Sequence, residues 1–208
     1  MKILAIQNRM GIGDTVIFLP FIKALYKKFN SPISLLVKES SKADQYLFQT
    51  NYIDKILILE RDSQNNSRHG GFFGSFNLIK DLKKYNFDKI IIFNSSLRFN
   101  LIAKFSNIPE IYQYPLFNKD KQHITDTPKK FMKDKFDINV NEDPDIQISN
   151  ELISGAIKKF QINKSELNIL LGIGGSGPTK RIPSRIFLEV ISKILKIKKC
   201  RFFLATGK

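Results

Sequence analysis

The chain has a single cysteine, no tryptophan and no long apolar run. Lone Cys200 excludes an internal disulfide framework and fits a reducing compartment. No stretch reaches the roughly 18–20 apolar residues that span a bilayer. The early run ILAI is too short for a secretory signal, and Asn8, Arg9 and a glycine-rich turn follow it at once. A soluble, cytosolic protein is expected. Acidic residues are also scarce, 19 Asp+Glu against 34 Lys+Arg, a formal net charge of +15. Residues 180–208 alone hold nine Lys/Arg against one acid, Glu189, so the excess is concentrated at one end. No aromatic-basic RNA signature accompanies it, and no nucleic-acid partner is expected. An anionic membrane surface or anionic substrate fits the charge equally well.

What is present is ample apolar material, 42% of residues with 18 Phe, in 208 residues without repeats. Short, nearly all-apolar runs at 2–7, 32–37, 54–59, 87–93 and 111–114 read as strands. Helical patterns at 15–29, 40–49, 75–85 and 97–106 separate them. Such alternation predicts an α/β domain with a parallel sheet covered on both faces, a Rossmann-like domain. The long polar loop 61–75 reads as mobile and functional. Residues 138–150 turn acidic and irregular and serve as the candidate connector. Beyond them come a helix at 150–160, a strand at 168–174, a helix at 183–196 and a strand at 201–206. The predicted domains are 1–149 and 150–208, the second one βαβ start that cannot cover its own sheet.

Two glycine-rich turns each join a strand to a helix. In the first, Gly11-Ile12-Gly13-Asp14, glycines permit a tight turn and close approach of a ligand at the carboxyl edge of the sheet. It is not a dinucleotide fingerprint, because Val16 stands where a third glycine is needed, and no Gly-Lys-Ser/Thr follows it. On spacing alone Asp14 reads either as a cap of helix 15–29 or as a residue of the chemistry. The second turn, from Gly172 to Arg181, gathers backbone N–H groups, the hydroxyls of Ser176 and Thr179, and the cations Lys180 and Arg181 before a helix. That is a phosphate site by physical logic, or else an ordinary flexible loop.

Taken together, KILAIQNRMGIGDTVIFLPFIKALYKKF, FDKIIIFNSSLRFNLIAKFSNIPEIYQY and GIGGSGPTKRIPSRIFLEVI resemble the lipopolysaccharide heptosyltransferases of glycosyltransferase family nine. The resemblance implies a GT-B architecture, with an N-terminal acceptor-binding domain and a C-terminal nucleotide-sugar-binding domain. It implies inverting transfer of heptose from ADP-heptose to the lipopolysaccharide core, with no metal and no cofactor beyond that co-substrate. In that reading Asp14 is the base that deprotonates the acceptor hydroxyl, where the helix dipole favours negative charge. Lys180 stabilises charge on the leaving diphosphate, and Ser176, Gly175 and Thr179 line the donor phosphate site. Gly13, Arg61, Arg68, Arg98 and His123 are the candidate acceptor contacts, the arginines because a guanidinium grips carboxylate or phosphate bidentately. The partners expected are a nucleotide-sugar, an anionic glycolipid and the cytoplasmic face of the inner membrane.

The chain departs from the family at Ile182, where tryptophan is usual, and at its ending. Family members continue into an Asp-Ser-Gly…His donor element, so this chain is expected to be a fragment. Two rival readings stand beside the first. One is a non-catalytic module binding an acceptor or an anionic surface. The other is a GT-B enzyme with a different nucleotide-sugar.

Overall fold

The computed structural model describes residues 1–9, 11–61, 67–116, 123–174 and 181–206. The chain divides into two compact units, Met1–Ile148 and Ser149–Lys208.

In the first unit β1 (Ile3–Gln7), β2 (Ile33–Lys38), β3 (Ile53–Leu59), β4 (Lys89–Ile92) and β5 (Glu110–Gln113) form one sheet in the order β3-β2-β1-β4-β5. Every pairing is parallel. Alternate side chains of the apolar strands face opposite ways, and each set has its own helical cover. Ile3, Ala5, Leu35, Val37 and Ile91 pack beneath α1 (Ile12–Phe29) and α5 (Asp126–Phe136). Leu4, Ile6, Leu36, Ile90 and Ile92 pack beneath α3 (Phe73–Lys83) and α4 (Leu97–Phe105). The central strand β1 is buried along its whole length, while edge strands β3 and β5 are partly exposed.

Three expectations need correction. α1 begins at Ile12 rather than residue 15, so Pro20 sits in mid-helix and Asp14 in the first turn. The stretch 40–49 is not one helix. A 3-10 turn (Glu39–Ser41) and the short α2 (Ala43–Tyr46) meet at Lys42, whose positive φ of 48° breaks the run, and the Ser41 hydroxyl donates to the Lys38 carbonyl instead. The loop after β3, read as mobile, is tied down over residues 67–72. There the His69 N–H donates to the Glu60 carbonyl, and the Glu60 N–H donates back to His69 Nδ1. An accepting Nδ1 leaves Nε2 as the ring donor, and it faces Asp81 Oδ2 at 3.2 Å. Asp81 also accepts two bonds from Arg68 and one from Lys84. Burial by itself would raise the Asp81 carboxyl, but the hydrogen bonds from Lys84, Arg68 and His69 reverse this and hold it well below the ordinary carboxylate range.

The acidic stretch before residue 148 is likewise fastened to α1. Glu142 pairs with Lys23 and Lys27, and the Tyr52 hydroxyl donates to the Asp145 carbonyl. Burial, and then the neighbouring Asp145 charge, push the Tyr52 phenol up to about 12.

In the second unit α6 (Asn150–Lys159) is capped by the Ser149 hydroxyl, which accepts from the Leu152 N–H. β6 (Leu167–Gly172) pairs in parallel with β7 (Cys200–Ala205), joined through α7 (Ser184–Ile197). None of the unit's described residues is buried.

Two predictions follow from the anchored loop. A Cβ at Gly74 would lie 2.2 Å from the His69 carbonyl carbon and 2.6 Å from its oxygen, atoms of backbone that cannot swing aside. Gly74→Ala should therefore cost about 1–3 kcal/mol of stability, read as a lowered urea midpoint with an unchanged slope. The depressed Asp81 carboxyl stabilises the fold fully above the ordinary carboxylate range and loses that effect as pH falls through its lowered value. The gap in Tm between wild type and Asp81→Asn should be level from neutral pH down to roughly pH 5 and should shrink below about pH 4. A gap that widens on acidification would contradict the assignment.

Candidate functional site

Strand order places β1 and β4 side by side, although their following helices lie on opposite faces of the sheet. Chain leaving β1 and chain leaving β4 therefore part, and a crevice opens between them at the carboxyl edge. Residues at these strand ends are polar. Gln7, buried at the end of β1, donates from Nε2 to the Asp14 carbonyl at 3.3 Å. Asn94, just past β4, donates to Asn8 Oδ1 at 3.2 Å and accepts from the Ser96 N–H at 2.9 Å. Gln113, the last residue of β5, donates to the carbonyls of Asn94 and Ser96 at 3.0 and 2.9 Å and accepts from Asn100 at 2.8 Å. A chain of amides thus spans the ends of three strands and fixes the turns that leave them.

Above this network lies a cavity of about 360 Å³ lined by Asn8, Arg9, Asn94, Ser95 and Tyr114 among others. The Tyr114 hydroxyl and Gln7 Oε1 are buried and have no hydrogen-bond partner among the described residues. An unpartnered buried hydroxyl costs free energy unless a ligand or water meets it. Burial also pushes the Tyr114 phenol far above its usual range, with Arg9 opposing in part. Tyr114 is therefore a neutral donor at any working pH. Sequence reasoning passed over this amide and tyrosine set. Its signal was a polar residue directly after each apolar strand, in IQN, FNS and YQY.

Asp14 occupies the third position of α1. The helix N-cap is Gly11, whose φ of +95° demands glycine, and no side chain caps the helix. The capping reading of Asp14 is thereby corrected: its carboxylate is half-buried, close to Gly11, and bonded to no described residue. Gly13 is exposed, and a Cβ there would meet nothing within 4 Å, so the first turn presents an open backbone face.

The arginines divide. Arg98, at the head of α4, donates to Ser75 Oγ at 2.9 Å and to the His69 carbonyl at 2.6 Å. Burial, and then the nearby charge of exposed Arg61, lower its guanidinium from the ordinary value. Arg61 and Arg98 thus form a cationic pair by the anchored loop. Arg68 holds Asp81 bidentately and is occupied in structural work. His123 is exposed and shares a 2.9 Å hydrogen bond with Thr125 Oγ1 just ahead of α5. Gly175, Ser176, Thr179 and Lys180 lie outside the described residues.

No protein-family model and no curated protein matches the chain. Solved structures do. The glycosyl transferase family 9 structure from Veillonella parvula superposes with a TM-score of 0.70 at 18% identity, over 100% of this chain and 70% of that one. The E. coli ADP-heptose lps heptosyltransferase II gives 0.68 at 16% identity, over 98% of this chain and 64% of that one. The E. coli heptosyltransferase WaaC with ADP gives 0.64 at 12% identity, over 100% of this chain and 68% of that one. The chain thus spans about two thirds of the length of these structures, and at such identities the likeness is one of fold. The fold is the GT-B type that these glycosyltransferases share.

Proposed function

We propose that the chain is a glycosyltransferase of family nine, moving a heptose with inversion from an ADP-sugar to the core of a lipopolysaccharide at the cytoplasmic face of the inner membrane. The observation that carries this reading is the unpartnered Asp14 carboxylate, set in the first turn of the helix that follows β1, in a fold that aligns over 98–100% of the chain with heptosyltransferases. An inverting displacement needs a base on the face opposite the leaving group, and a carboxylate free of internal partners can accept the proton of an acceptor hydroxyl. The open N–H groups of the first turn and the exposed Gly13 backbone let that hydroxyl come close. The neighbouring cavity, with its neutral Tyr114 donor and amide lining, matches a polyhydroxylated sugar. The cationic pair Arg61 and Arg98 suits the carboxylate or phosphate groups of an inner-core acceptor. Lys180, with Ser176, Gly175 and Thr179, is assigned to the donor diphosphate, whose growing charge a cation stabilises as the glycosidic bond breaks. In this reading no metal or further cofactor takes part.

Asp14→Ala should lower turnover with ADP-heptose and a heptose-deficient lipopolysaccharide by ~10²–10⁴-fold while leaving ADP-sugar affinity unchanged. Near-normal turnover would remove Asp14 from the chemistry. If the protein binds no ADP-sugar at all, the non-catalytic acceptor-binding module takes its place. Tyr114→Phe removes a hydroxyl that the fold leaves unsatisfied, so its thermal midpoint should hold or rise. Its acceptor KM should increase by roughly five- to tenfold with kcat little changed, the loss of about one hydrogen bond.

A further inference from the structure

The helices α3 and α4 carry a feature that glycosyl transfer does not use. Phe72, Phe73 and Phe76, at the start of α3, are 76%, 81% and 51% exposed. Their rings pack on one another edge to face, Phe72 against Phe73 at 6.0 Å and against Phe76 at 5.3 Å. Across from them α4 exposes Leu97, Leu101 and Phe105. Between the two helices runs a groove of about 830 Å³, floored by Phe76, Ile79, Leu101, Ile102 and Phe105 and flanked by Lys83 and Arg98. A contiguous apolar patch of this kind marks a docking surface, because water-facing helices do not otherwise keep three phenylalanines on one turn.

The charge around the groove selects the occupant. α3 and α4 together bear Lys80, Lys83, Arg98 and Lys104 against the single acid Asp81, which Arg68, His69 and Lys84 already occupy. Among the described residues Lys80, Lys83 and Lys104 pair with no acid. A second copy of this face would set these cations against their own equivalents across a two-fold axis, which costs rather than gains. Aromatic side chains at one end of a helix with unpaired lysines beside them are instead the pattern of a helix lying in the interface of an anionic bilayer.

We infer that the α3–α4 face docks on an anionic membrane surface, its phenylalanines entering the acyl boundary and its lysines meeting lipid phosphates. Arg98 borders the groove and also heads α4 directly after the Asn94–Ser96 turn, so the docked face lies beside the crevice at the carboxyl edge. The inference extends the glycolipid-acceptor reading by naming the surface that meets the lipid. Its test involves no donor and no turnover, so either idea can fail alone.

Because the chain has no tryptophan, Phe73→Trp supplies a unique fluorophore at the patch. Mixed phosphatidylcholine–phosphatidylglycerol vesicles should shift its emission to the blue, and brominated acyl chains should quench it. Pure phosphatidylcholine should do so weakly, and added salt should weaken binding to the mixed vesicles. Adding Phe72→Ser and Phe76→Ser should lower vesicle partitioning by on the order of tenfold or more. Single Lys83→Gln or Lys104→Gln should cost about fivefold each on mixed vesicles only. These side chains are exposed, so the circular-dichroism melting curve should be unchanged and confirm folding. Absence of a shift with any vesicle overturns the inference, as does equal binding to neutral and anionic lipid. Blue shift that follows protein concentration without lipid would assign the groove to self-association. Shift by monomeric lysophospholipid but not by vesicles would assign it to a single acyl chain. Either of those results also overturns the inference.

Discussion

Ile3–Ile6 of β1 lie beside Lys89–Ile92 of β4 in parallel register, and this pairing sets the position of the polar strand ends in the first unit. From β1 the chain builds outward through β2 and β3 beneath one face, and from β4 it builds outward to β5 beneath the other. Strand-to-helix turns on the two sides must therefore diverge, which is the condition for a crevice in an open parallel sheet. Slipping β4 by one residue would turn Ile90 and Ile92 from one helical layer to the other and empty both cores. Burial of these strands fixes the register, and the register holds Asn8 and Asn94 together at one opening.

The amide network is the second consequence of that pairing. Strand ends in a buried parallel sheet leave backbone groups that must be satisfied before the chain turns away. Gln7, Asn94 and Gln113 satisfy them with side chains, which have two donors and an acceptor each. What the network does not satisfy, Gln7 Oε1 and the Tyr114 hydroxyl, is therefore informative, since unmet groups at a rigid edge are where a polar ligand repays its own desolvation.

Apolar runs made the strands legible in the sequence. The runs at 2–7, 32–37, 54–59, 87–93 and 111–114 agree with the strands to within about two residues at each end, because buried parallel strands are written in β-branched and leucine residues. Position 40–49 misled because helical periodicity says nothing of Ser41 bonding back to the main chain or of Lys42 adopting a left-handed conformation. Asp14 was legible as important, and the start of its helix was not, since Gly11 caps by conformation and leaves no side-chain signature. Arg68 was read as an acceptor contact, and His69 only as part of the loop 61–75. Their partner, Asp81, lies a full helix turn or more away along α3, and pairing at that range is invisible to local spacing. The aromatic cluster at 72–76 straddled the end of the loop 61–75 and the start of the helix predicted at 75–85, and only the exposure of its rings separates it from core.

The central claim is inverting transfer of heptose at this crevice, and the configuration of the product tests it most directly. The protein would be incubated with ADP-heptose and a heptose-deficient lipopolysaccharide core, and the product examined by mass spectrometry and by the anomeric signals in its NMR spectrum. The account predicts one added heptose whose anomeric configuration is opposite to that in the donor. Retention of configuration, or binding of both substrates with no transfer, would contradict a single displacement assisted by Asp14.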